Sequence, residues 1–79
     1  MASYTGDSRG HSVGEVDPAS ASVVLDDGSR WQVYEGFVEI ISAWQAGEMV
    51  TIKPNRDPEY PYKLVNVHKN QSVEVRFQP

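Results

Sequence analysis

The chain has 79 residues, 39% hydrophobic and 23% charged, with a formal net charge of −4 and no cysteine. That length permits one small domain with a thin core, which no disulfide or thiolate-bound metal can reinforce. The acidic balance argues against general affinity for phosphate backbones. No stretch approaches the roughly 20 apolar residues of a membrane span, and the first residues lack the basic-then-apolar order of a secretory signal, so the expected setting is the cytoplasm, without a membrane partner.

Residues 1–12 read as a disordered arm, because Ser3, Gly6, Asp7, Ser8, Gly10 and Ser12 offer little apolar area to offset ordering entropy. A single small β domain is expected over residues 13–79. Val13 and Val16 flank Gly14-Glu15 as a short edge strand, which Pro18 ends because proline cannot donate to a ladder. Val23, Val24 and Leu25 form a β-branched and apolar run. Asp26-Asp27-Gly28-Ser29 is a hairpin turn, since Asp and Gly tolerate positive φ. In the return strand, Trp31 and Val33 point one way and Gln32 and Tyr34 the other. Phe37, Ile40, Ile41 and Trp44 fall at helical spacing, yet Val38 to Ile41 is rich in strand formers. A strand and a single-turn helical crossover both remain open there, and either way these residues belong to the core. After a turn at Gln45–Glu48, Met49 to Lys53 alternates, with Val50 and Ile52 facing opposite to Met49 and Thr51. Pro54 to Pro61 is a loop with three prolines, Tyr62 to His68 the next strand, and Lys69-Asn70-Gln71 a turn. Val73, Val75 and Phe77 then alternate with Glu74, Arg76 and Gln78 as a half-buried strand. The expected fold is all-β, a small barrel or roll of about five antiparallel strands, SH3-like or OB-like, with at most a helical turn near 37–44.

The string Leu25-x-Asp27-Gly28-Ser29-x-Trp31-x-Val33, followed by Trp44-x-x-Gly47-Glu48-x-Val50-x-Ile52 and Leu64-Val65-Asn66, resembles a pattern in small bacterial β proteins. It departs from that pattern at Glu48, where aspartate is more usual, and the N-terminal arm has no counterpart. The resemblance implies a bacterial or phage source and a compact barrel over roughly residues 23–77, and it carries no catalytic residue or defined activity.

Catalytic and metal chemistry find little material. His11 belongs to the solvated arm, and His68 reads as a surface residue. The two histidines show no ligand spacing, there is no cysteine, and the pairs Asp26-Asp27 and Asp57-Glu59 read as turn and loop charges. Asp26-Asp27-Gly28 lacks the alternating oxygens of a calcium loop. Ser72 near His68 has no nucleophile elbow or orienting acid, and Glu35 with Glu39 reads as solvated charge. The chain is therefore expected not to be an enzyme and to hold no cofactor or metal. Its expected partner is another protein. The contact is either the proline-stiffened loop, through Arg56, Tyr60 and Tyr62, or an open strand edge that could also pair two copies. The alternatives are weak single-stranded nucleic-acid binding on a face holding Tyr62, Lys63, Lys69 and Arg76, disfavoured by net charge, and a structural role in a larger assembly on which the arm orders.

Overall fold

A computed structural model describes Gly6 and residues 9–79. Six strands alternate inward and outward side chains: β1 (His11–Asp17), β2 (Ser22–Leu25), β3 (Arg30–Val33), β4 (Met49–Pro54), β5 (Tyr62–Asn66) and β6 (Gln71–Gln78). They close into an antiparallel barrel in the order β1-β2-β3-β6-β5-β4. This is the expected small all-β barrel, with six strands rather than about five. Two three-strand meanders are joined by one crossover, and β6 returns to pair with β3.

Closure sets three features apart from the sequence reading. The expected arm over 1–12 falls mostly outside the described residues, but His11 and Ser12 begin β1 and pair with Val50 and Met49 of β4. The edge strand expected at Val13–Val16 is thus part of a seven-residue strand that pairs with β4 through His11 and Ser12 and with β2 from Val13 to Asp17, with a bulge between Val13 and Glu15. The open edge expected for strand addition is narrowed, because the sheet closes on itself where His11 and Ser12 of β1 meet Val50 and Met49 of β4.

Local chemistry explains the connections. Asp17 caps the 3-10 turn Pro18–Ser20 by accepting from the Ala19 N–H at 3.2 Å, and Pro18 supplies the fixed φ of a first helical position. Between β2 and β3, the Gly28 N–H donates to the Leu25 carbonyl, and Gly28 sits at φ +83, a conformation that an L side chain rarely adopts. Asp27 accepts from the Ser29 N–H at 2.9 Å and from its hydroxyl at 2.6 Å, completing the turn. The segment left open in the sequence is the helical crossover: a 3-10 turn at Glu35–Phe37 runs into α1 (Val38–Ile41). Its stripe works as the spacing suggests. Ile41 and Trp44 are buried, and Phe37 and Ile40 pack partly buried against the core.

Inside the barrel lie Val13, Val23, Leu25, Trp31, Val33, Val50, Ile52, Leu64, Val73 and Val75, joined by Ile41 and Trp44 from the crossover. Both tryptophans keep a partner for the indole N–H: Trp31 donates to the Ser29 hydroxyl at 2.9 Å and Trp44 to Gln71 Oε1 at 3.0 Å. β5 ends at Asn66, two residues before the expected strand end, so Val67 and His68 lie in the turn and are exposed.

Candidate functional site

The described surface carries one aromatic cluster, assembled from three segments. Tyr34 directly follows β3 and is exposed, as the alternation predicts, and its N–H continues the ladder to the Glu74 carbonyl at 2.9 Å. Its ring lies over Gly36, where a Cβ would come within 2.9 Å of Cε2, so a side chain at that position would displace the ring. Tyr34 is 44% exposed. It stands edge-on to Phe37 at 6.0 Å and to Tyr60 at 5.3 Å between ring centroids, the geometry that ring quadrupoles favour. The Arg76 guanidinium lies 5.2 Å from the Tyr60 ring centre, within cation–π range. Arg76 also donates to Gln32 Oε1 at 3.3 Å, from its cross-strand position on β6.

The loop that delivers Tyr60 is tied down by its own hydrogen bonds. Asn55 donates from Nδ2 to the Tyr60 carbonyl at 2.8 Å and from its N–H to the Pro61 carbonyl at 2.9 Å. Asp57 accepts from the Glu59 N–H at 2.8 Å, so this carboxylate shapes the turn. Arg56 is exposed on the same loop.

The predicted residues therefore separate. Tyr60 and Arg76 meet, and Arg56 shares the loop. Tyr62 does not join them: it pairs with Val75 at an inward position and packs edge-on to Trp31 at 5.3 Å. Its face therefore holds core rings, including Phe77 at 5.4 Å from Trp31. Lys63, one residue on, faces outward opposite Glu74. Lys69 lies in the turn after β5, where it pairs with Glu48 at 3.0 Å. The predicted face of Tyr62, Lys63, Lys69 and Arg76 is thus divided by strand alternation and by turn geometry. Tyr34 and Gln32 belong to the site and escape the sequence reading. The available signal was the outward position of Tyr34 at a strand end.

Two polar clusters hold the ends of strands. His11, expected in solvent, is 7% exposed, and its Nδ1 lies 2.8 Å from Asp26 Oδ1. This hydrogen bond, with the Ser12 backbone contact, holds the Asp26 carboxyl below its ordinary value against the opposing effect of burial. Ligand atoms of His11, Asp26 and Asp27 lie within 4.8 Å of one another, a proximity that strand closure creates and sequence spacing does not show. On the other side, Glu48 accepts from the Gln45 N–H at 2.9 Å, from Asn66 Nδ2 at 3.0 Å and from Lys69. These bonds, the Gln45 N–H first, hold the Glu48 carboxyl at about 2, well below the usual carboxylate range.

A pH dependence follows. A depressed carboxyl adds stability above its unfolded-state value and loses it as pH falls through the folded one. Thermal stability is expected to drop as pH falls from about 4.5 toward 2, and Glu48→Gln is expected to flatten that part of the profile. Parallel profiles of melting temperature against pH for wild type and variant would contradict the assignment.

An open recess of about 710 Å³ is lined by Gly28, Ser29, Arg30, Phe77, Gln78 and Pro79. Arg30 is the one charged side chain among these, so the recess holds no acid–base pair of side chains. Among the described residues no helix is long and apolar enough to cross a membrane. Fold and surface together define a small closed all-β barrel bearing an aromatic–arginine cluster. Comparison with family models, curated proteins and solved structures gives no match.

Proposed function

We propose that this chain is a non-enzymatic binding module that docks a segment of another protein on the surface formed by Tyr34, Tyr60 and Arg76, with Arg56 exposed on the loop that carries Tyr60. The observation that carries this reading is the exposed Tyr34 ring in edge-on contact with Tyr60, itself covered by the Arg76 guanidinium. Tyr and Arg are the residue types that dominate binding energy at protein interfaces. Rings held by a closed loop lose little entropy on binding. An SH3-like use of the barrel, with aromatic side chains receiving a peptide, fits this surface better than an OB-like use. The latter needs a basic face on which bases stack, whereas Lys69 is neutralised by Glu48 and Tyr62 is turned inward.

The test is affinity capture with immobilised protein and with Tyr34→Ala and Arg76→Ala variants, both at surface positions. A partner retained by wild type is expected to be lost by each variant, with a loss of about tenfold or more in affinity, as for interface anchors. A partner retained equally by all three proteins refutes the assignment. Single-stranded oligonucleotide binding that falls steeply with added salt would instead favour the nucleic-acid reading.

A further inference from the structure

The outer face of β4 and β5 carries a second surface, which the aromatic cluster does not include. Register places Lys53 opposite Lys63 and Thr51 opposite Val65. One step further, the Val67 N–H donates to the Met49 carbonyl at 2.9 Å. Met49, Thr51 and Lys53 alternate with the buried Val50 and Ile52, so they face out, as do Lys63 and Val65 beside the buried Leu64 and Asn66. Met49 is 50% exposed and Val67 59%; with Tyr34 these are the exposed large hydrophobic residues among those described. Two of the three thus adjoin, next to the half-buried Val65.

The charged end of this stripe is equally unusual. Like charges directly opposite each other on a sheet destabilise it, yet Lys53 and Lys63 are cross-strand partners in a chain of net charge −4. Glu74 flanks Lys63 on β6, but neither lysine makes an ion pair among the described residues. Lys69, by contrast, is paired. The stripe therefore offers an apolar anchor at one end and, about 13 Å along the strand at ~3.3 Å per residue, two adjacent lysines with Glu74 beside Lys63 as the one acidic cross-strand neighbour among the described residues.

We infer that this face docks an acidic segment of a second protein, one whose apolar side chains sit on Met49, Val65 and Val67 while its carboxylates meet Lys53 and Lys63. Charge complementarity selects this occupant: an apolar segment alone leaves the lysines unmatched, and a basic one is repelled. Carboxylates there would also relieve the like-charge contact.

Amide NMR of the labelled full chain tests this with two synthetic twelve-residue peptides, one alternating leucine with aspartate and one alternating leucine with lysine. The acidic peptide is expected to shift the resonances of Met49, Thr51, Lys53, Lys63, Val65 and Val67, and the basic one to leave them in place. The doubly reversed variant Lys53→Glu/Lys63→Glu is expected to bind the acidic peptide at least about tenfold more weakly and to accept the basic one. Met49→Ser is expected to weaken binding without changing its salt dependence. Independently of any ligand, Lys53→Gln, which removes the like-charge contact and keeps Lys63 opposite Glu74, is expected to raise the melting temperature. The inference is overturned if the acidic peptide shifts none of these residues, or if both peptides shift them alike. It is also overturned if only anionic phospholipid vesicles or an oligonucleotide do so, or if Lys53→Gln lowers the melting temperature.

Discussion

Trp31→Ala is expected to destabilise the domain by about 3–5 kcal/mol, the range for deleting a large buried aromatic side chain. Trp31 is fully buried and sits in the register position opposite Phe77. Its ring meets Tyr62 and Phe77 at 5.3 and 5.4 Å, and its N–H reaches Ser29 in the β2–β3 turn. It therefore holds together β3, β5, β6 and the hairpin turn. Small domains have a few kcal/mol of stability in total, so a loss of this size leaves much of the population unfolded at room temperature. Urea denaturation followed by far-ultraviolet circular dichroism measures it. Trp31→Phe, which keeps most of the apolar volume and loses the bond to Ser29, should fall between wild type and alanine. A midpoint for Trp31→Ala within error of wild type would show that the ring is not a support of the barrel.

Asn66→Ala is expected to cost about 2–3 kcal/mol, the penalty for leaving buried polar partners unsatisfied, here including a charged one. Asn66 is 0% exposed and occupies an inward position on β5, where Leu64 is apolar. Its Nδ2 donates to Glu48 Oε1 and its Oδ1 accepts from the Lys69 N–H at 3.0 Å, which together determine the orientation of the amide. Removing it takes one donor from the Glu48 carboxylate and frees the turn after β5 at the same step. Asn66→Asp should be at least as damaging near neutral pH, because a second carboxylate would face Glu48. A double-mutant cycle of Asn66→Ala with Glu48→Gln measures the coupling; if the two effects simply add, the network described here does not act as a unit.

The barrel was legible in the sequence wherever one face is buried. Alternation at Val73-Glu74-Val75-Arg76, at Met49 to Lys53 and at Trp31-Gln32-Val33 reports directly on which side chains leave water, and burial follows it. The Asp26-Asp27-Gly28-Ser29 turn was legible for a different reason: positive φ at Gly28 and the side-chain hydrogen bonds of Asp27 are local matters that need no distant partner. The 37–44 segment stayed open because helical and strand spacings agree over so few residues. The route from β3 to β4, with Ile41 and Trp44 reaching the core, decided it.

Local composition and period two thus determined an all-β chain, its core residues and the places of its turns. Tertiary structure decided everything that depends on who lies opposite whom. Closure turned His11 from an arm residue into a buried partner of Asp26 and narrowed the open edge. Register sent Tyr62 into the core and Lys63 out to face Lys53. It also set Asn66 inside the barrel, though Val65 and Val67 on either side of it are the apolar residues. The loop from Asn55 to Pro61 carried Tyr60 to Tyr34 and Arg76, residues distant in sequence. Pairings of this kind depend on strand order and chain reversal, and propensities of adjacent residues hold no record of them.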